Sequence, residues 1–277
     1  MANRPSNRPR PAQQKPGTTR EQIERRERFE RARRLSLRPA GEVAILYGWH
    51  TVLAALNNPA RRIRRLLVTE NAARRLAELA LPNAPRPEIV RPDAIAARLP
   101  ADAVHQGLYA EADPLMPPAL DALEPQGIVL VLDHITDPHN VGAIIRTSSA
   151  FGVRAVVTTA RHSPEATGVL AKAASGGLEH VPLIAVQNLA RALATLKQRG
   201  FQLVGLDADG PDNLATLPLH APLALVLGAE GKGLRQSTRQ ACDHLARLDL
   251  PGAIKSLNVS NAAALALYVA TQALQQG

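Results

Sequence analysis

One cysteine, Cys242, is all the thiol chemistry in 277 residues. An intramolecular disulfide and any multi-cysteine metal site are thereby excluded, and a reducing compartment is expected. Long apolar runs are missing too: no stretch of about 18 hydrophobic residues occurs, as a membrane helix would need, and the first twenty residues lack the apolar segment of a secretory signal. The expectation is a soluble, cytoplasmic protein with no membrane association.

Acidic residues are sparse at one end. Residues 1–40 hold 12 Lys and Arg against four Glu, so nearly the whole net charge of +9 lies there and the remainder is close to neutral. Pro5, Pro9, Pro11 and Pro16 among polar neighbours make residues 1–19 poor material for packing. Residues 21–35 permit a polar helix through Glu21–Arg25, Glu24–Arg28 and Glu27–Arg31 pairs at i, i+4. This arm is read as a basic, disordered extension, suited either to salt-sensitive phosphate contact or simply to solubility.

What is present beyond the arm is an alternation of elements, and 45% hydrophobic content is enough for two domains with cores of their own. Strands are expected at 43–47, 64–69 and 88–90, with helices at 50–56 and 71–79 and a break at Gly48. Together they make a small α/β domain over 42–112. Pro114, Pro117, Pro118 and Pro125 then break regular structure, so 113–124 reads as a linker. From 125 to 277 a continuous apolar run, Ile128 to Leu132, has the character of a buried parallel strand. Further strands at 155–157, 202–206, 223–227 and 244–250 alternate with helices at 141–151, 165–175, 188–199 and 258–275. The fold class is α/β with a parallel sheet covered on both faces, and ligands are expected at the carboxyl ends of its strands.

Three such ends carry polar clusters. After the first strand of this region comes Asp137-Pro138-His139-Asn140, with Asn140 expected to cap a helix that Gly152 ends. On that helix Val141, Ile144, Ser148 and Phe151 share the inward stripe, which leaves Arg146 on a presented face. Asp133, His134, Asp137 and His139 lack the spacing of helical metal ligands, so no metal is expected. After the strand at 223–227 comes Gly228-Ala229-Glu230-Gly231-Lys232-Gly233. Its glycines allow close backbone approach to a ligand. Neither the Walker A nor the dinucleotide pattern fits it, and Glu230 would repel a pyrophosphate, so a cofactor with a cationic centre suits it better. The third cluster is Pro251 to Asn261, where Ser256, Asn258, Ser260 and Asn261 crowd into the start of an alanine-rich helix. Capping accounts for one of these four residues and leaves the other three unexplained.

Asn140 with Arg146, then Gly228-Ala229-Glu230-Gly231, then Leu250-Pro251 with Ser256-Leu257-Asn258-Val259-Ser260, taken in order, resemble the three motifs of the SpoU (TrmH) group of SPOUT RNA 2′-O-methyltransferases. Residues 42–112, ending in His105-Gln106-Gly107, and the segment Lys172 to Pro182 are similar to the branch that methylates a guanosine of 23S rRNA. The resemblance implies a deep trefoil knot in the C-terminal domain, an L30e-like substrate-binding domain before it, S-adenosylmethionine as methyl donor, RNA as substrate and a homodimer. It also implies that backbone around Thr158, Gly228, Leu250 and Leu257 holds the donor, with Asn140, Arg146, Glu230, Ser256 and Asn258 around the reacting ribose. Between Pro251 and Ser256 the chain is shorter than that group's usual loop. A tRNA-directed methyltransferase of the same group and a non-catalytic ribosome-binding relative are the rival readings.

Overall fold

Gly48 adopts a φ of +85°, and this left-handed turn separates the first strand, Ala44–Tyr47 (β1), from the first helix, Trp49–Asn57 (α1). A computed structural model describes residues 43–276 apart from 80, 82, 83 and 161–167. The basic arm, its expected helix at 21–35 and the first residues of the helix expected at 165–175 lie outside the described residues.

Ile63–Val68 (β2), Glu70–Ala77 (α2), Glu88–Ile89 (β3) and Pro92–Ala96 (α3) follow, and Leu108–Ala112 (β4) completes a four-stranded sheet ordered β1-β4-β2-β3. β4 pairs antiparallel with both β1 and β2, while β3 lies parallel to β2. β4 and α3 were not expected from the sequence. The Leu108-Tyr109-Ala110-Glu111-Ala112 run is mixed in polarity, yet Leu108, Ala110 and Ala112 are fully buried in one core while Tyr109 packs on Leu67 and Ile95 on the opposite face. Burial on both faces comes from neighbours far away in sequence, so no local periodicity announces it.

The second sheet holds seven strands: Ile128–Asp133 (β5), Ala155–Thr159 (β6), Leu183–Val186 (β7), Gln202–Leu206 (β8), Asp212–Asn213 (β9), Leu223–Gly228 (β10) and His244–Arg247 (β11). Their order is β7-β6-β5-β10-β8-β11-β9 and every pairing is parallel. Helices Pro138–Ala150 (α4), Gly168–Ala174 (α5), Leu189–Gln198 (α6), Gln236–Ala241 (α7) and Val259–Gln276 (α8) connect and cover it. Alternation along β5 divides two cores. Leu130 and Leu132 pack with Ile144, Leu170, Leu225 and Leu267 on one face, and Val129 and Val131 with Val157, Leu193 and Leu196 on the other. Each such buried leucine or valine contributes about 2 kcal/mol by leaving water.

Two expectations are corrected here. Asp137, not Asn140, is the N-cap of α4: its Oδ1 accepts from the His139 N–H at 2.9 Å, with Pro138 as first helical residue. Asn140 lies inside the first turn. The last strand of the sheet ends at Arg247 rather than Leu250, its final ladder pair being Arg247 with Asn213. β7, β9 and α7 are also present without having been expected; they are short and flanked by proline or charged residues, where periodicity is weakest. Among the described residues, no helix is long and apolar enough to cross a membrane.

Candidate active site

The strand order reverses between β5 and β10: from β5 the chain builds outward to β6 and β7, and from β10 the sheet continues to β8 and β11. Such a switch point opens a crevice at the carboxyl ends of its two strands. Asn140 leaves β5 on the first turn of α4, and Glu230 follows β10 directly.

The loop after β10 is closed tightly on itself. The Gly233 N–H donates to the Ala229 carbonyl at 2.8 Å, and a Cβ at Gly228 would stand 2.2 Å from the Gly233 carbonyl carbon. Only glycine fits at 228. Gly231 and Gly233 have φ of +73° and +63° and face open space. The exit of this loop is pinned by Asp133 at the end of β5, whose buried carboxylate accepts from the Arg235 backbone N–H at 3.1 Å and from Arg235 Nε at 2.7 Å. Asp133 stands opposite Gly228 in the parallel ladder, so one carboxylate ties both strand ends and the loop together.

Glu230 at the loop's apex gathers three donors on one oxygen. Its Oε1 accepts from Asn258 Nδ2 at 2.8 Å, from the Val259 backbone N–H at 3.0 Å and from Asn140 Nδ2 at 3.3 Å. Asn258 Nδ2 also donates to Asn140 Oδ1 at 2.9 Å. Asn258 is meanwhile the N-cap of α8: its Oδ1 accepts from the Ser260 N–H at 2.9 Å and its carbonyl from the Ala262 N–H at 2.9 Å. Glu230 thus places a carboxylate at a helix N-terminus, where an anion is favoured by the exposed N–H groups and the helix dipole.

The remaining expected residues divide. Arg146 is exposed, two turns along α4, and has no hydrogen-bond or ion-pair partner among the described residues. Ser256 and Leu257 lie in the exposed segment before α8, and Ser256 does not hydrogen-bond to the cluster. Leu250 is half-buried, and its carbonyl accepts from Lys255 Nζ at 2.7 Å, a contact that braces the shortened loop. Thr158, beside Leu132 in the ladder, is buried, and its Oγ1 has no hydrogen-bond partner among the described residues. Asp133 and Arg235 were not picked out as a pair from the sequence, because an ion pair between residues 102 positions apart leaves no spacing signal.

A small molecule with a cationic centre and polar groups suits these residues. An orphaned hydroxyl at Thr158, open space over Gly231, Gly233 and Gly252, exposed main chain from Pro251 to Asn258 and the Glu230 carboxylate offer hydrogen bonds and favourable charge.

A family model described as the SpoU rRNA Methylase family matches residues 127–268. A second, described as RNA 2′-O ribose methyltransferase substrate binding, matches residues 45–118. The 23S rRNA (guanosine-2′-O-)-methyltransferase RlmB of Pseudomonas putida is 37% identical over 83% of this chain and 96% of its own length. The protein of the same name from Nitrosomonas europaea is 37% identical over 80% of this chain and 89% of its own. The solved structure of the SpoU methyltransferase AviRb from Streptomyces viridochromogenes, in complex with the cofactor AdoMet, covers 92% of this chain and 93% of its own at 22% identity with a TM-score of 0.69, a likeness of fold.

Proposed function

Because the chain belongs to the SpoU rRNA methylase family, we propose that it transfers a methyl group from S-adenosylmethionine to the 2′-hydroxyl of a guanosine ribose in 23S rRNA. The observation that carries this reading is the joining of Asn140, Glu230 and Asn258 at the switch point of the sheet, with Asn140 on the helix that also bears Arg146. S-adenosylmethionine supplies an activated methyl on a sulfonium.

The chain's own part is to hold a ribose oxygen in line with that methyl and to assist loss of its proton. The Glu230–Asn140–Asn258 cluster is held together by its own hydrogen bonds, which limits the reorganisation needed at reaction. Arg146 is the group free to meet RNA. A guanidinium surrenders its proton only in exceptional surroundings, whereas its planar fork matches a phosphate, so holding the backbone next to the target and polarising the hydroxyl is the role assigned to it. Ser256 lies in the same exposed segment as Leu257, whose backbone, with that around Thr158, Gly228 and Leu250, is assigned to the methyl donor.

The same reading covers the coarser features. Residues 125–277 are assigned to the methyltransferase domain, with the chain after β10 threaded as a trefoil knot, and residues 42–112 to an L30e-like domain that binds RNA. A homodimer in the cytoplasm is proposed, and the exposed Leu265 and Tyr268 of α8, 45% and 55% accessible, supply an apolar face for it. Methyl-accepting assays with purified 23S rRNA and bulk tRNA test the substrate: label entering the 2′-O position of a 23S guanosine supports the reading, and label entering tRNA alone replaces it.

A further inference from the structure

We propose that a two-point clamp between the four-stranded and seven-stranded sheets sets the register in which RNA held by the first is delivered to Arg146 on the second. The inference rests on the methyl-transfer reading above for the identity of the ligand, but its geometry is independent of it.

The first point is a buried ion pair. The Arg61 and Glu179 side chains are 4% and 2% exposed. Arg61 Nη2 donates to Glu179 Oε1 at 2.6 Å, its Nε reaches both carboxylate oxygens at 3.2 and 3.1 Å, and its Nη1 donates to the Asp113 carbonyl at 2.9 Å. Asn58 Nδ2 completes the set with a bond to Glu179 Oε2 at 2.8 Å. A planar guanidinium bound in this way resists both sliding and rotation, as a single point charge would not. Arg61 and Asn58 lie between α1 and β2; Glu179 ends a short 3-10 turn, Gly177–Glu179, in the other layer.

The second point is Gln106, a residue held at a φ of +53°. Its Oε1 accepts from the Trp49 backbone N–H at 2.9 Å and from Lys172 Nζ at 3.1 Å. Lys172 belongs to α5 of the seven-stranded layer, and desolvation lowers its pKa, in keeping with an ammonium drawn into the seam. Two attachments at separate places remove the hinge that one would leave.

What makes the clamp more than mortar is where its far end leads. A Cβ at Gly177, in the turn that ends at Glu179, would stand 3.0 Å from the Ile145 carbonyl and 3.2 Å from Arg146 Cα. Gly142 of the same helix packs as closely on Ala173 and on the Leu170 carbonyl of α5. Backbone-to-backbone contact transmits position with little slack. Arg61 is thereby coupled through Glu179 and the Gly177 turn to the helix that presents Arg146.

The test compares the full chain with Glu179→Gln and, because burial makes that variant a folding risk, with Gln106→Ala in an exposed loop. Each is assayed on full-length 23S rRNA and on short fragments around the nucleotide the wild type methylates, with S-adenosylmethionine affinity by calorimetry and small-angle scattering of the free protein. Loss of the clamp is expected to raise KM for full-length RNA by about tenfold through lost effective concentration between the two contacts, to leave turnover on short fragments and donor affinity unchanged, and to broaden the scattering profile. Equal losses on long and short RNA, or no loss with unchanged scattering, overturns the clamp. A wild type inert on both RNAs overturns the methyl-transfer reading instead, and scattering alone then decides the clamp.

Discussion

Asn140 and Asn258, 118 positions apart, are joined side chain to side chain at 2.9 Å, and both turn amide hydrogens toward a single oxygen of Glu230. Asn258 caps α8 at the same time, so the end of the chain is registered against the ends of β5 and β10 by one shared set of hydrogen bonds.

Removing the common acceptor loosens that register. Glu230→Ala leaves the Val259 N–H and two amides without their partner and is expected to cost about 1 kcal/mol, water recovering part of the loss at this exposed position. Glu230→Gln keeps an acceptor oxygen and costs less. Hydrogen exchange at the start of α8 checks this: faster exchange at 259–262 in the alanine variant and near wild-type rates in the glutamine variant are expected.

Arg146 is exposed and unpaired among the described residues, so its truncation leaves the fold alone. Arg146→Ala is expected to change stability by less than about 0.5 kcal/mol while abolishing methyl transfer and sparing donor affinity. Lysine is a poor substitute, since a single ammonium does not reproduce bidentate contact with phosphate. Calorimetry beside turnover measurements distinguishes the outcomes; wild-type turnover in Arg146→Ala removes this residue from the site.

The glycines of the loop are not equivalent. Gly228→Ala drives a methyl into the Gly233 main chain, at 2.2 Å, and neither side of that contact is able to yield; loss of donor binding is expected. Gly231→Ala meets open space and bears only the strain of a φ of +73°, about 1 kcal/mol. Donor titrations of the two variants measure the contrast directly.

Asp133 holds the loop exit through Arg235. Asp133→Ala removes two hydrogen bonds from a buried strand end and is expected to cost about 2 kcal/mol, with Arg235 relaxing into solvent. Donor affinity should fall with it, because Gly228 stands opposite Asp133 and the loop loses its anchor. Urea midpoints combined with donor titration check the pair of effects; unchanged affinity separates the anchor from the site.

Burial first, then the neighbouring Asp243 carboxylate, pushes the Cys242 thiol from its ordinary 9.0 up to about 12. The folded pKa exceeds the unfolded one, so this contribution to stability is fully present below about pH 9 and is lost as the pH climbs toward about 12. In the folded protein the thiol stays protonated and unreactive at about pH 8, and alkylation there is expected only with unfolding. Labelling rates across a urea gradient measure this, and rapid labelling without denaturant would contradict it.

Most of the alternation of strands and helices from β5 to α8, β7, β9 and α7 apart, was readable in the chain, because parallel strands buried on both faces are unbroken apolar runs and their helices carry one-sided stripes. So were the three polar segments, since glycine clusters and crowded amides stand out from a core-forming background. β4 was not: its residues are mixed in polarity, and their burial is imposed by β1, β2 and α3 from elsewhere in the sequence. The capping of α4 by Asp137 rather than Asn140 escaped too, because both residue types cap well and only the position of Pro138 as first helical residue separates them.

Residue order settled the composition of each element and which side chains stand at strand ends, as these follow from local burial and backbone preference. Which ends meet was settled by strand order in the sheet. Placing β10 against β5, with α8 returning beside them, brings Asn140, Glu230 and Asn258 within hydrogen-bonding distance. Hydrogen bonds act over about 3 Å, and at sequence separations of 28 to 118 residues no local pattern carries that information; it arises only when the core has closed.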